Sequence, residues 1–370
     1  YLHCSSNQLT SLNVSNNTAL IELYCKSNQL TSLDVSNNTA LLKLQCYDNQ
    51  LISLDVSNNT GLDHLNCHTN SLTSLDVSNN TLLTWLHAGT NQLTALDVSQ
   101  NTELTTLYVG FNSLTSLDVS ANTALTLLKC PGNQLMSMDV STNTALETLD
   151  LWANELTYLN MRNGVTDALT LFKATGNDLT CIETLDPDYA TANWTNANEN
   201  IDEGVTFSVI CGSIDHDEWH VSTNGSDGSG NGTQESPFAT IQTGINAAGD
   251  GNTVHVAAGT YVENISYSSK SISIHGEDRE TTIVDADSSG RPFTFDGDDQ
   301  HTIALSGLTF TNGNNGQGGG IYITDGMNID LSNLIITGNT GGGNNAGGGA
   351  YINASTGNIH DVIISDNDAY

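Results

Sequence analysis

Apolar residues recur along the first half of the chain with a period of 21 residues. One copy of the frame contains six apolar residues and an asparagine: Leu41, Leu44, Cys46, Asn49, Leu51, Leu54 and Val56. The asparagine returns at the same spacing in eight copies: Asn7, Asn28, Asn49, Asn70, Asn91, Asn112, Asn133 and Asn154. A degenerate ninth copy has Asn177, two residues late. Alternation over residues 44–46 and 54–56 predicts two short strands per copy, joined by turns.

A coil this short cannot bury its own apolar face, so successive copies must stack with strands about 4.8 Å apart. The repeated asparagine then lies at a bend. There its amide can satisfy backbone groups of adjacent coils. We therefore expect the asparagine to have a structural role.

The frame LxxLxCxxNxLxxLDV resembles the leucine-rich repeat, and in particular the nested 21-residue bacterial type called IRREKO. The resemblance extends over residues 1–180. It implies a solenoid whose strands line a concave face.

The second half changes character at about residue 219, where leucine becomes rare and Gly, Asn, Ile and Thr dominate. Ser236 as N-cap and Pro237 as first helical residue predict a short amphipathic helix near 237–248. Its buried face would be formed by Phe238, Ile241, Ile245 and Ala248. Strand-like runs such as TVHVA, SISIHG and TIALSGLTF follow it.

The segment WHVSTNGSDGSGNGTQESPFATIQTGINAAGDGNTVHVAAGTYVENI resembles the opening of right-handed parallel β-helix proteins of the pectate-lyase-like superfamily. Farther on, Asn312, Asn339 and Asn367 are 27 and 28 residues apart, and GGGIYI and GGGAYI accompany them. This pairing resembles the repeats of polymorphic outer-membrane proteins.

The expected fold is therefore mainly β, with two solenoids in tandem. A leucine-rich repeat solenoid would cover 1–180, a cap and linker 181–215, and the start of a parallel β-helix 219–370. Because the chain starts and stops inside repeats, we expect a fragment of a longer protein, with the β-helix truncated at its C-terminal end.

Charge excludes some partners. The chain has 370 residues, with 8 Lys and Arg against 41 Asp and Glu, a formal net charge of −33. Such a polyanion repels nucleic acid and anionic membrane surfaces. The sequence has no run of 18 apolar residues that could span a membrane. We expect a monomer that does not insert into membranes.

Cysteine usage falls into two groups. Cys4, Cys25, Cys46, Cys67 and Cys130 share one inward strand position. At a spacing of about 4.8 Å their Cβ atoms would be too far apart for a typical disulfide. We interpret them as small buried apolar residues; a redox or metal site is the alternative.

Cys181 and Cys211 flank a stretch that resembles the C-terminal cap of such repeats in Bacteroidetes-type surface proteins. The resemblance implies a disulfide, and hence an oxidising location outside the cytoplasm, secreted or on the cell surface.

The outward strand positions vary while the frame does not. Candidate ligand-binding residues on the concave face are Tyr24, Lys26, Lys43, Tyr47, His64, His68, Trp85, His87, Tyr108, Lys129 and Trp152. All four lysines of the repeats fall on this face, which favours recognition of a glycan or a cell-surface protein. The alternative is that aromatic residues simply suit exposed strands.

Aspartates form a row at Asp34, Asp55, Asp76, Asp97, Asp118 and Asp139. They either accept backbone N–H bonds of the following turn or bind Ca²⁺ loosely. Weaker Ca²⁺ candidates in the second half are Asp285, Asp287, Asp296 and Asp298. No other cofactor is expected.

We expect no enzymatic activity, but adhesion or ligand binding through the concave face. The alternative is a polysaccharide-degrading enzyme of the pectate-lyase-like kind, whose active site would lie largely beyond Tyr370. Such lyases combine acidic Ca²⁺ ligands with a Lys or Arg base. The second half offers only Lys270, Arg279 and Arg291, none in a motif that matches. No arrangement of serine, cysteine or histidine in the sequence resembles a nucleophilic triad.

Overall fold

The computed structural model describes residues 1–212, 217–297, 301–324, 328–342, 347–353 and 356–369. The chain divides into two compact units, Tyr1–Cys211 and Gly212–Tyr370, which we call the first and the second unit. Both are mainly β, and the strands pair in parallel. Among the described residues, no helix is long and apolar enough to cross a membrane.

Most strands of the first unit are three residues long. In chain order its elements are β1 (Leu2–His3), β2 (Glu22–Tyr24), β3 (Lys43–Gln45), β4 (His64–Asn66), β5 (Trp85–His87), β6 (Thr106–Tyr108), β7 (Leu127–Lys129), β8 (Ser137–Asp139), β9 (Thr148–Asp150), β10 (Tyr158–Met161), β11 (Leu171–Lys173), β12 (Cys181–Thr184), α1 (Pro187–Asn193) and β13 (Thr206–Ser208). Nine of the strands form one sheet in the order β1-β2-β3-β4-β5-β6-β7-β9-β11.

The strands of this sheet from β2 to β9 each have a buried leucine at their centre. Leu23 pairs with Leu44, and Leu44 with Leu65, so that equivalent residues of successive copies lie side by side. The two residues that flank each leucine therefore point away from the core.

The five cysteines of the strand position are free, and all except Cys4 are buried. Burial raises the pKa of the Cys25 and Cys67 thiols to about 12, so both stay protonated at neutral pH. For Cys25, Cys46, Cys67 and Cys130 this agrees with their interpretation as small buried apolar residues, whereas Cys4 is only partly buried.

The repeated asparagine bonds neighbouring coils together, as predicted. The Asn49 Oδ1 atom accepts a hydrogen bond from Leu30 N of the preceding copy at 3.0 Å. Its Nδ2 donates to Cys46 O of its own copy at 3.0 Å and to Cys25 O of the preceding one at 3.1 Å. The residue before the asparagine has a positive φ in most copies, as at Asp48. The side chain therefore satisfies backbone groups that the sharp bend leaves without ladder partners.

A second asparagine ladder runs along a segment whose sequence predicts only turns. Its members are fully buried: Asn38, Asn59, Asn80, Asn101, Asn122 and Asn143. The Nδ2 atom of Asn38 donates to Val14 O at 3.0 Å and to Asn17 O at 2.8 Å in the preceding copy. The sequence contains a signal for this ladder: the asparagine does not vary among these copies, while the residue before it does.

One prediction about these coils is wrong. The segment expected to form a second strand in every copy is not a strand in the first six copies. There the side-chain amide of Asn38 bonds Val14 O and Asn17 O of the preceding copy, so side-chain bonds join these coils. In the seventh copy, Val140 N donates to Asn160 O at 2.9 Å. A four-stranded sheet then forms in the order β13-β12-β10-β8.

The predicted disulfide lies at the end of this small sheet. Cys181 and Cys211 are joined, with Cα atoms 5.8 Å apart. The buried Arg162 Nε lies 3.2 Å from Glu183 Oε2, and the other oxygen of Glu183 accepts from Cys211 N at 3.1 Å. The helix α1 starts at Pro187, where the Asp186 side chain accepts from Tyr189 N.

The second unit consists of longer coils. Its elements are β14 (Glu218–Val221), α2 (Ile241–Ala247), β15 (Thr253–Val256), β16 (Gly259–Val262), β17 (Ile265–Tyr267), β18 (Ile272–Gly276), β19 (Thr282–Asp285), β20 (Phe293–Asp296), β21 (Thr302–Thr311), β22 (Ile321–Thr324), β23 (Asn328–Thr337), β24 (Thr340–Gly341), β25 (Ala350–Ile352), β26 (Thr356–Ser365) and β27 (Asp368–Ala369).

Three parallel sheets join these strands. In the first, the order β14-β15-β18-β21-β19-β16 is extended by β23 on β21 and by β26 on β23. The others have the orders β17-β20-β22-β25 and β24-β27. The side chains of Asn339 and Asn367 bond across coils here too: Asn339 Nδ2 donates to Phe310 O, and Asn367 Nδ2 to Ile336 O.

The predicted helix exists but begins later than residue 237. Helix α2 has Thr240 as its N-cap, whose side chain accepts from Thr243 N. The prediction that Ser236 caps the helix is wrong because Phe238 is held extended against β14. Phe238 N donates to His220 O, and Ser222 N donates to Phe238 O. The predicted apolar face, Phe238 included, is buried.

Replacement of Asn133 by alanine should destabilise the first unit by about 2–3 kcal/mol, because it leaves Leu114 N without a partner and removes one of the two side-chain amides that donate to each of Val109 O and Cys130 O. Urea unfolding followed by circular dichroism measures this. The exposed Asn37, changed to alanine, is the control and should alter stability by less than about 0.5 kcal/mol. Equal stability of the two variants would contradict the structural role of the ladder.

Candidate ligand-binding face

All eleven candidate residues lie on or beside the nine-stranded sheet of the first unit. Seven are outward residues of strands: Tyr24, Lys43, His64, Trp85, His87, Tyr108 and Lys129. The other four follow the end of a strand by two residues: Lys26, Tyr47, His68 and Trp152. None is buried, and Trp152 is 40% exposed. The in-register pairing brings most of them into contact, although they are far apart in sequence.

Six of the candidates form one continuous row, which we call the lysine-capped stack: Lys26, Tyr47, His68, His87, Tyr108 and Lys129. Ring centroids are 4.3 Å apart between Tyr47 and His68 and 4.2 Å between His68 and His87. The next step, from His87 to Tyr108, is 5.0 Å. The Lys26 ammonium lies 5.2 Å from the Tyr47 ring, and the Lys129 ammonium 6.0 Å from the Tyr108 ring. Each end of the aromatic row therefore carries a cation–π contact.

A second pair of rings flanks the stack. His64 and Trp85 are stacked with centroids 4.0 Å apart and planes 8° apart. Trp85 also meets the stack, edge-on to His87 at 5.8 Å and tilted to Tyr108 at 6.0 Å. Lys43 pairs in register with His64 on the adjacent strand.

Tyr24 and Trp152 lie outside the stack, toward the two ends of the sheet. Tyr24 stacks on His3 at 4.2 Å and donates to Glu22 through its hydroxyl. Trp152 contacts Phe111 edge-on at 6.2 Å, and the Lys173 ammonium lies 5.5 Å from its ring. Phe111, which is 53% exposed, was missed because it occupies a turn position where other copies have polar or small residues.

The stacking decides which part of each ring a ligand can reach. The rings of Tyr47, His68 and His87 stack along the direction in which the strands stack, so their faces largely cover one another, whereas Tyr108 is tilted by 41° to His87. At the two ends of the row, the Lys26 and Lys129 ammonium groups lie over the ring faces of Tyr47 and Tyr108. Ligands therefore meet ring edges, where the positive part of the aromatic quadrupole lies, together with ring N–H and hydroxyl groups. Within the described residues, the Tyr47 and Tyr108 hydroxyls have no hydrogen-bond partner in the protein.

The histidines of the face favour the neutral form. Burial, and to a lesser extent the neighbouring His68, lowers the pKa of His87 to about 4. Burial likewise lowers the pKa of His68 against the attraction of Asp48, and that of His64, where Lys43 adds to the effect. At neutral pH the face thus carries uncharged imidazoles between lysine cations.

The aspartate row is engaged in the turns, in agreement with the backbone-bonded interpretation. Each aspartate accepts from the serine two residues later, as in Ser36 N to Asp34 at 2.9 Å. Bonds to Ser36 lower the pKa of Asp34. Across the described ranges, no group of three or more His, Cys, Asp or Glu residues is placed to hold a metal ion.

The weaker Ca²⁺ candidates bond to the protein itself. Asp285 accepts from Asp287 N at 2.8 Å and from Asn312 Nδ2 at 2.9 Å. Asp296 accepts from the Thr324 hydroxyl at 2.8 Å. The fourth candidate, Asp298, lies outside the described residues. Calcium binding stays a prediction.

The three basic residues of the second unit also bond within the protein. Lys270 Nζ donates to Ile245 O and Asn246 O at the end of α2. Arg279 contacts Asp361, and Arg291 stacks on the Tyr322 ring at 4.3 Å while its Nε donates to Gly318 O. Each therefore has a structural contact that a catalytic base would have to give up.

Sequence reasoning also missed a column of histidines in the second unit. His220, His255 and His275 are in register on β14, β15 and β18, with ring centroids 5.2 Å and 6.2 Å apart. They line an open cleft of about 470 Å³. The signal would have been the recurrence of histidine at outward positions of consecutive strand-like runs.

Comparisons with known proteins give partial matches. The family described as "Protein of unknown function (DUF1565)" matches residues 223–269. No curated protein matches the sequence.

Among solved structures, the functional domain of InlJ from Listeria monocytogenes, described as including a cysteine ladder, is similar with a TM-score of 0.47. The identity is 22%, over 93% of this chain and 75% of that one. A leucine-rich repeat protein of Leptospira interrogans has a TM-score of 0.45 and 23% identity over 54% of this chain and 53% of that one. An internalin, InlF, from L. monocytogenes has a TM-score of 0.37 and 28% identity, over 45% and 48%. The chain spans about half the length of the last two.

The His87 proton should titrate with a midpoint of about pH 4, measurable from the imidazole resonances by NMR and assigned with His87→Gln. Unfolded histidine binds its proton near pH 6.5. Between these values the unfolded state binds more protons, so stability should fall as pH falls from about 6.5 to 4, less steeply in His87→Gln. A His87 midpoint near 6.5 would contradict the packing described for the stack.

Proposed function

We propose that this chain is a ligand-binding part of a bacterial protein that is secreted or displayed on the cell surface. The outer face of the nine-stranded sheet is the binding surface, and the protein has no enzymatic activity. The ligand is a glycan or a cell-surface protein, and the binding serves adhesion. The second unit is a stalk or a second recognition surface.

The lysine-capped stack is the observation that carries the proposal. A strand face needs no such arrangement for stability, because the leucines beneath it are already fully buried. Yet the four lysines of the repeats and most of its aromatic rings lie there, half-exposed, in a chain of net charge −33. Aromatic residues with free polar edges are typical of interface hot spots.

The finer assignments of fold and location belong to the same proposal. The 21-residue copies with two asparagine ladders favour an IRREKO-type leucine-rich repeat. Parallel coils such as Ile321 opposite Ala350 favour a right-handed β-helix for the second unit. The Cys181–Cys211 disulfide favours an oxidising compartment. We also propose that the protein is a monomer and binds neither nucleic acid nor membrane.

The lyase alternative receives less support. Lys270, Arg279 and Arg291 bond to other parts of the second unit, which leaves none of them poised to take a proton from a sugar. Cleavage of pectin or alginate by this chain would nevertheless overturn the non-enzymatic proposal.

Replacing Trp85 and Tyr108 together by alanine should weaken ligand binding at least about tenfold, because truncation of aromatic anchors costs about 2 kcal/mol or more at hot spots. Binding is measured on arrays of glycans and of purified cell-surface proteins. The control is Ile52→Ala with Met136→Ala, which removes two exposed apolar side chains away from the face.

Circular dichroism should give the same melting behaviour for both double variants. Unchanged binding by the Trp85 and Tyr108 variant, or equal loss in the control, would rule out the face as the binding site.

A further inference from the structure

A cleft opens at the end of the nine-stranded sheet, beside its last strand β11. It has a volume of about 400 Å³, within the range of about 300–1,000 Å³ of small-molecule sites. The buried rings of Phe172 and Trp194, with centroids 4.3 Å apart and planes tilted by 40°, lie at its base. Leu171, 40% exposed, adds apolar surface at the rim.

The walls of the cleft are polar. They come from β11, from α1 and from the loop after it: Lys173, Tyr189, Asn193, Asn198, Glu199 and Asn200. The Lys173 Nζ atom is 3.8 Å from Glu199 Oε2, so the cleft contains one cation and one anion rather than an excess of either.

The loop that supplies the wall is held in place by its own hydrogen bonds. Thr195 N donates to Asn200 Oδ1, and Asn198 N donates to the Thr195 hydroxyl. Asn200 also closes the edge of β11, donating from Nδ2 to Phe172 O at 2.8 Å while its carbonyl accepts from Ala174 N at 2.7 Å. The cleft is therefore built before any ligand arrives, which lowers the entropy cost of binding.

Several polar groups of the cleft remain unused. In the part of the chain that the structure describes, the Tyr189 hydroxyl has no hydrogen-bond partner, and the amide oxygens of Asn193 and Asn198 accept no hydrogen bond. These groups can donate to and accept from a ligand with several hydroxyls. The exposed side chain of Leu171 beside these polar walls matches a sugar ring, which has C–H faces and a hydroxyl edge.

We propose that this cleft, which we call the cap cleft, binds a short saccharide. The balanced charge of Lys173 and Glu199 favours an uncharged sugar over an anion, which the net charge of −33 would also repel. This proposal rests on the proposed function, because it takes the ligand of the adjoining face to be a glycan. Lys173 contacts Trp152, so a glycan on the face can extend into the cap cleft.

The test uses the full chain and a panel of methyl glycosides and short oligosaccharides, with saturation-transfer NMR and calorimetry as readouts. Tyr189→Phe combined with Asn198→Ala removes one hydroxyl and one amide and leaves the backbone bonds of the loop. The matched control combines Tyr1→Phe with Asn37→Ala, both at exposed positions away from the cleft. Thermal melts confirm that both variants fold.

We expect the cleft variant to bind the preferred saccharide about tenfold more weakly, since each lost hydrogen bond changes affinity several-fold. The control should bind it as the unchanged chain does, and the variant of Trp85 and Tyr108 reports separately on binding through the stack. Three results would contradict the proposal that the cap cleft binds a saccharide. These are no saccharide binding at all, equal loss in the control, or binding that depends on the stack and not on Tyr189 and Asn198.

Failure of the cap cleft is distinguishable from failure of the proposed function. A chain that binds a purified cell-surface protein through Trp85 and Tyr108 but no saccharide refutes the cleft and leaves the face as a binding surface. If the chain binds a saccharide only through Tyr189 and Asn198, the cap cleft is supported as a binding site and the outer face of the sheet is refuted as one.

Discussion

The hydrogen bonds of repeated asparagine side chains hold the coils of the first unit in register. A chain that bends sharply every few residues exposes N–H and C=O groups that no strand ladder can reach, and leaving them unpaired costs free energy each time. Asn49 satisfies such groups in its own copy and in the preceding one. The same solution returns at Asn339 and Asn367 in the second unit, although the coils there are longer.

Because the copies are in register, a periodic sequence forms a continuous surface. Once each copy lies directly on the last, side chains 21 residues apart become neighbours, and the outward positions line up in columns. The lysine-capped stack is one consequence, because Tyr47, His68 and His87 come from three different copies. Stacking in turn limits what the face can present, since the ring faces are covered and polar edges remain. The cap cleft arises where this order ends, as the loop after α1 covers the last strand.

The sequence predicts the features that follow from its periodicity. It misses those that depend on contacts between residues far apart in the chain. The burial of Cys46, the bonding of Asn49 and the apolar face of α2 are all set by spacing alone. Alternation predicts a second strand in each copy, but in the first six copies side-chain bonds such as that of Asn38 to Val14 O join this segment to the next coil without a strand. The start of α2 was placed too early because Phe238 pairs with β14, a contact between residues far apart in sequence. The stack needed the side-chain geometry of several copies at once, and the cap cleft needed the internal bonds of an asparagine-rich loop.

The asparagine ladder that includes Asn49 and Asn70 holds the coils together as firmly as the short strands do. Native-state hydrogen exchange of the amides of Leu30, Leu51, Leu72 and Leu93, which donate to asparagine side chains, tests this claim most directly. We predict that these four exchange as slowly as the central amides of the strands, since the coils must separate before any of them opens. Exchange of the four at the rate of exposed turn amides, with the strand amides still protected, would contradict the claim.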